Sequence, residues 1–186
     1  MNHKESYKER KREIAVDIAK NYYYKYKNWV RPFGFSTEEN IDIHIFMKMP
    51  RKIRKMPDFI YIEEAKFYFS EVKGCHDILR LKIEDLKDYL WWFKTFKEMD
   101  EGDNVDFRFF VFSTKFNDFR EMSMQQLIDL IQKKKDSGSP YERDRYPDNN
   151  KEYIKIPVEE IFNEVQREDD YVIPEDTSFN LSYTKT

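Results

Sequence analysis

Cysteine is almost missing from this 186-residue chain. Cys75 stands alone, so no intramolecular disulfide can form, and the three histidines make no zinc-type cluster with it. A single thiol fits a reducing cytoplasm. No uninterrupted apolar stretch approaches the roughly 20 residues of a membrane span. The charged N-terminus is not followed by the apolar segment of a signal peptide. A cytoplasmic protein without membrane contact is therefore expected. Alanine and glycine are scarce, internal repeats are absent, and the net charge of −3 excludes a uniformly basic nucleic-acid binder.

What the chain does have is aromatic mass. Sixteen Phe, thirteen Tyr and three Trp can fill the core of one domain of ordinary length. We place that domain at residues 1–168 and an acidic, unstructured tail at 169–186. The abundance of Lys, Asn, Ile, Phe and Tyr suits an AT-rich source, a phage included.

Charge is unevenly spread. Residues 136–186 carry 13 acids against 6 bases, so residues 1–135 are net positive. Within them, Lys48, Arg51, Lys52, Arg54 and Lys55 form a run with no acid. Such a patch is either a solvated face or a place where phosphates arrive.

Periodicity predicts the elements. Ala15, Ile18, Tyr22, Tyr26 and Trp29 recur at helical spacing, so a helix is expected over 5–30. Asn40–Met49 alternates as a first strand, with His44 on its polar side. A second helix is expected over Leu79–Lys97, a buried strand over Val105–Phe112, and a third helix from Ser123, boxed by Gln126. Residues 136–150 read as a polar loop. A short strand at 153–156 and a helix opened by Pro157 follow. Tyr22–Tyr24 and Trp91–Trp92 could stack on bases, but aromatics at helical spacing are more often core.

The most specific feature lies between these elements. Pro57-Asp58 opens one apolar run, Met56–Ile62, and Glu71-Val72-Lys73 lies within a second, Lys66–Gly74. Both runs read as strands, and the short polar Glu63-Glu64-Ala65 suits a hairpin turn. The hairpin would set Asp58 beside Glu71, with Lys73 two residues on and on Glu71's face. Carboxylates in apolar runs are costly without a partner. A hard cation such as Mg²⁺ takes one or two carboxylates and keeps several waters. The Val72 carbonyl can add a third oxygen, and Lys73 can orient water or offset phosphate charge. A lysine so placed is expected to titrate low, and Gly74 to end the strand and admit a ligand.

Pro57-Asp58 … Glu71-Val72-Lys73 resembles the PD-(D/E)xK, or restriction-endonuclease-like, nuclease superfamily. The resemblance implies an α/β fold, a mixed β-sheet flanked by helices in the order α-β-β-β-α-β. It implies metal-dependent hydrolysis of phosphodiester bonds with Mg²⁺ or Mn²⁺, with Asp58 and Glu71 as ligands and Lys73 as catalytic lysine. Many members carry a further acid on the first helix, for which Glu13 is the candidate ahead of Glu9 and Asp17. Many also carry a polar residue on the second helix, for which Lys82 is the candidate, with Asp85 and Tyr89 on roughly its side. Lys48, Arg51, Lys52, Arg54, Lys55, His76 and Lys82 are then expected to contact nucleic acid, DNA ahead of RNA. Nucleases of this type that cut both strands are often homodimers. Two other readings stand beside it: a nuclease-fold binding module acting through a protein partner, and an RNA-directed endonuclease.

Overall fold

The computed structural model describes residues 3–34, 47–99, 104–147 and 149–167, with side chains of the first helix from Lys11 onward. The elements are α1 (His3–Tyr26), β1 (Trp29–Pro32), α2 (Arg51–Arg54), β2 (Phe59–Glu63), β3 (Lys66–Cys75), β4 (Ile78–Lys82) and α3 (Ile83–Met99). After them come β5 (Val105–Ser113), β6 (Asp118–Ser123), α4 (Met124–Asp136), β7 (Arg143–Arg145), β8 (Glu152–Pro157) and α5 (Val158–Glu164).

Five strands form a mixed sheet in the order β1-β2-β3-β5-β6. Only β3 and β5 run parallel, from Phe67↔Val105 to Cys75↔Ser113. Its two faces are buried by different helices. Alternation along β5 sends Phe110 and Phe112 toward α1, where they meet Ala15, Ile18, Tyr22 and Tyr23. Phe107, Phe109 and Val111 go to the other face, into a core shared with Tyr89 of α3 and Leu127 of α4. This two-sided burial is why Val105–Phe112 reads as a near-continuous apolar run. Fully burying each Phe contributes about 1.5–3 kcal/mol.

The β2–β3 hairpin pairs Phe59↔Ser70 through Glu63↔Lys66. Its two-residue loop, Glu64-Ala65, has positive φ at both positions, 47° and 63°. That is the type I′ geometry whose twist matches the flanking strands. Ser123 caps α4 in a reciprocal box with Gln126, as the sequence pattern predicts.

Several sequence expectations are corrected. The first helix stops at Tyr26, and Trp29 and Val30 belong to β1, which pairs with β2. Tyr26 and Trp29 are accordingly exposed, and the buried stripe is Ala15, Ile18, Ala19, Tyr22 and Tyr23. The strand expected at Asn40–Met49, with His44, falls mostly outside the described residues, while Met47 and Lys48 are helical. Leu79–Lys82 is strand, not helix, and its side chains alternate between buried and open. β4 leaves the main sheet and joins a second one, β4-β8-β7, through Leu79↔Ile156 and Leu81↔Ile154. The loop expected at 136–150 contains β7. The expected tail at 169–186 lies outside the described residues. Among the described residues, no helix is long and apolar enough to cross a membrane.

Candidate active site

Pairing between β2 and β3 ends at Phe59↔Ser70, yet β3 continues along β5 to Cys75. From Glu71 onward one edge of β3 therefore has no strand beside it among the described residues. Asp58, immediately before β2, fills the place: the Val72 amide donates to Asp58 Oδ2 at 2.7 Å. In a strand the amide and carbonyl of one residue point to the same edge, so the Val72 carbonyl faces the Asp58 side too. The Asp58 backbone is fixed just beyond β1, where the Phe33 amide donates to its carbonyl at 2.9 Å.

Glu71 and Lys73 project from β3 toward α3. Lys73 Nζ donates to Glu71 Oε1 at 2.5 Å and to the Tyr89 hydroxyl at 3.1 Å. Tyr89 in turn donates to the same Glu71 oxygen at 2.6 Å. The three groups close a ring in which Tyr89 is only 2% exposed. Arg12 of α1 approaches Asp58 Oδ1 to 4.0 Å. These residues share a cavity of about 270 Å³ whose wall also carries Arg54, Lys55, Lys82 and Asp85.

Each carboxylate thus has one oxygen held by the protein. Asp58 Oδ2 is held by Val72 and Glu71 Oε1 by Lys73 and Tyr89. Asp58 keeps 23% of its side-chain exposure and Lys73 keeps 24%, so the centre is sheltered but reachable. Burial and the negative charge of Glu71 raise the Asp58 carboxyl to about 7, against the pull of Lys73, the Val72 amide and Arg12. Burial likewise raises the Tyr89 hydroxyl well above its usual value, with Glu71 adding to the shift. For Lys73 burial acts downward, but Glu71 and Asp58 outweigh it and the ammonium is raised. The expectation of a low-titrating Lys73 is therefore corrected. Two nearby carboxylates hold the proton on more strongly than desolvation removes it.

The other sequence candidates are distributed as follows. Glu13 is exposed on α1 and is not part of the cavity wall, which Arg12 reaches from the same helix. Asp17 is exposed as well, and the Glu9 side chain lies outside those described. Arg51, Lys52 and Lys55 pair with acids of α3 while staying partly exposed. Arg51 bonds Asp88 at 2.7 Å and Glu84 at 3.0 Å, Lys52 bonds Asp88 at 2.8 Å, and Lys55 meets Asp85 at 3.0 Å. The basic run thus docks α2 on α3, and its net field is much reduced. Arg54 and Lys55 still reach the cavity, while Lys48 is exposed elsewhere. Lys82 does line the cavity, from the end of β4 and not from a helix. Burial holds it below its ordinary value, with Lys55, Lys151 and Lys73 adding to the effect against Asp85. His76 is held by Thr114 at 2.9 Å, outside this cavity.

Gly74 has a different role from the one expected. It lies inside β3, and a Cβ there would sit 2.3 Å from the Lys11 carbonyl oxygen and 3.2 Å from Ala15 Cβ. The close approach it permits is that of α1, and Gly74 also lines the cavity. Cys75 is buried, and burial pushes its thiol up to about 12, so it is no nucleophile.

Arg12 and Tyr89 are the site residues that the motif alone does not assign. Arg12 stands three residues before Ala15 on the buried stripe, which is the available signal for it. A larger cavity, about 400 Å³, lies at the far end of β2. Its acids and bases are largely matched: Lys27 with Glu63, and Glu121 with the hydroxyls of Tyr23 and Tyr61.

No protein-family model and no curated protein matches the sequence. Among solved structures, a Holliday junction resolvase of the archaeal hyperthermophile Archaeoglobus fulgidus is similar at a TM-score of 0.36 and 13% identity. The match covers 61% of this chain and 75% of that one.

Proposed function

We propose that this chain is a metal-dependent nuclease that hydrolyses phosphodiester bonds. One observation carries the reading: Asp58, Glu71 and Lys73 converge on one sheltered cavity, and among the described residues each carboxylate has a second oxygen with no hydrogen bond, that of Asp58 facing only the Arg12 guanidinium at 4.0 Å. The donor set fits Mg²⁺ or Mn²⁺. It is all oxygen, two carboxylates with the Val72 carbonyl beside them, and a hard cation needs no more than that plus water. Among the described residues no group of three or more His, Cys, Asp and Glu side chains forms a denser metal site. When bound, the cation would make a water acidic enough to attack near neutral pH and would offset phosphoryl charge.

The protein's own groups do the rest. Lys73 is a fixed ammonium, clamped by Glu71 and Tyr89, that orients the attacking water and faces the charge developing on phosphate oxygens. Tyr89 fixes Glu71 and Lys73 relative to each other. Arg12, Arg54 and Lys82 are the cations of the wall best placed to take phosphates. Lys55 contributes less because Asp85 holds it. DNA ahead of RNA is the substrate that the sequence resemblance implies.

The test is cleavage of duplex, single-stranded and branched DNA and structured RNA with Mg²⁺, Mn²⁺ or EDTA, beside Lys73→Ala. Metal-dependent cutting that falls by about 10²–10⁴-fold in Lys73→Ala is expected for a group acting on the transferred proton or charge. Equal cutting by Lys73→Ala and wild type would remove the lysine from the chemistry. Absence of any metal response in melting temperature or cutting would overturn the reading.

A further inference from the structure

The catalytic cavity does not end at Lys73. A second depression of about 190 Å³ shares Lys73 and Gly74 with it and continues along β4 to Lys11, His76 and Arg80. Its outer wall is Tyr146, at the tip between β7 and β8. This wall belongs to the second sheet, of whose solvent face the chemistry proposed above uses only Lys82.

That face carries Arg80, Lys82 and Lys155 with the Tyr153 ring, and one acid, Asp144, to which the Tyr153 hydroxyl donates at 3.1 Å; Asp77 lines the depression beside it. Arg80 and Lys82 stand two residues apart on β4, on one face of the sheet. The Arg80 guanidinium lies 5.7 Å from the Tyr153 ring, and Lys82 Nζ lies 5.4 Å from the Tyr146 ring. Tyr146 and Tyr153 pack on each other at 4.3 Å. Among the described residues, neither Arg80 nor Lys82 has a carboxylate within salt-bridge distance. The neighbouring Lys155 differs, being bonded to Glu142 and Asp144 at 3.0 Å each. Two cations without a carboxylate partner, spaced along a strand and backed by tyrosine rings, suit a polyanion that also carries flat rings. Duplex bases offer no free face, because each is covered by its neighbours. Unpaired bases do.

We infer that this depression is a subsite for a single-stranded nucleic-acid segment flanking the attacked phosphodiester, with Arg80 on its phosphates, Lys82 on those at the join with the first cavity, and Tyr146 as a stacking surface for a base. The inference rests on the nuclease reading of the adjoining cavity, and it narrows the substrate to one with an unpaired flank: a single strand, a frayed end or a branch.

The test measures binding in EDTA of a short fluorescent single-stranded deoxyoligonucleotide and of its blunt duplex, for the wild type, Tyr146→Ala, Tyr146→Phe and Arg80→Ala. Metal-dependent cutting by the same proteins is measured alongside. Tyr146→Ala should weaken the single strand about ten-fold, leave the duplex nearly unchanged, and be rescued by Tyr146→Phe. Arg80→Ala should lower the slope of log affinity against log salt for the single strand by about 0.7. If Tyr146→Ala and Arg80→Ala bind the single strand like a wild type that still cuts, the subsite is overturned and the nuclease reading stands. If both substrates weaken equally, the preference for an unpaired flank is overturned. If the wild type neither binds nor cuts, subsite and nuclease reading fall together. Circular dichroism and melting temperature separate these outcomes from misfolding.

Discussion

The Val72 amide donates to Asp58 Oδ2 at 2.7 Å, just beyond the last paired residues of the β2–β3 hairpin. The side chain of one strand's leading residue stands in for a backbone acceptor on the next. Asp58 therefore has two separable duties, one as a hydrogen-bond acceptor and one as a charge. Asp58→Asn keeps an acceptor for the Val72 amide and removes the charge. It should melt within a few degrees of the wild type yet lose the Mn²⁺-induced rise in melting temperature and the cutting. Asp58→Ala should lose both and cost a further 1–3 kcal/mol or so, from an unsatisfied sheltered amide. Identical melting of the two variants would show that the hydrogen bond has no structural weight.

Tyr89 is the group that ties Glu71 to Lys73. Tyr89→Phe keeps the ring packed against Phe107 and Phe109 and removes only the hydroxyl. Loss of such an outer partner typically costs about 10–100-fold in metal affinity or activity. We expect roughly that fall in cutting, with little change in melting temperature. Isothermal titration with Mn²⁺ locates the loss: weaker binding means that Glu71 has moved, and unchanged binding with slow cutting means that Lys73 has.

Gly74 is where α1 rests on β3. Gly74→Ala drives a Cβ to 2.3 Å from a backbone oxygen, which cannot rotate away as a side chain would. The helix or the strand must shift, at a cost of about 1–3 kcal/mol. Urea unfolding should show that loss. Cutting should fall as well, because Lys73 is the next residue along. Normal stability in Gly74→Ala would mean that α1 docks less tightly than this contact indicates.

The hairpin loop offers a gain. Glu64 and Ala65 both adopt positive φ, and a left-handed conformation costs an L-residue about 1–2 kcal/mol. Asn-Gly is the pair best suited to a type I′ turn. Glu64→Asn with Ala65→Gly should stabilise the protein by about 1 kcal/mol, after the added chain entropy of glycine is subtracted. Thermal unfolding checks it, and a fall in melting temperature would contradict the turn geometry.

The juxtaposition of Asp58, Glu71 and Lys73 was more legible in the sequence than the elements around it. Asp58, Glu71 and Lys73 could be read because a hairpin is local: thirteen residues of separation and a polar turn suffice to set the two acids side by side. β1 was not legible, since Trp29 and Val30 continue the helical spacing of α1, and only pairing with Tyr61 and Ile62 makes them strand. β4 was hidden for a related reason. Leu79, Leu81 and Ile83 suit an alternating pattern, while Leu79, Ile83 and Leu86 suit a helical one, and the tertiary partner that decides is β8. The basic run misled in another way. Its residues looked unopposed along the chain, but Glu84, Asp85 and Asp88 oppose them across space.

The parallel pairing of β3 with β5 sets an order on assembly. An antiparallel hairpin closes on the microsecond scale, so Asp58 and Glu71 can meet before the rest of the chain has folded. The strand that backs them lies some thirty residues downstream, across β4 and α3, and non-local parallel contacts form slowly. Until β5 seats, α3 has no floor and Tyr89 cannot close on Lys73. The expected order of assembly therefore pairs Asp58 with Glu71 first and closes Tyr89 on Lys73 only after β5 has seated.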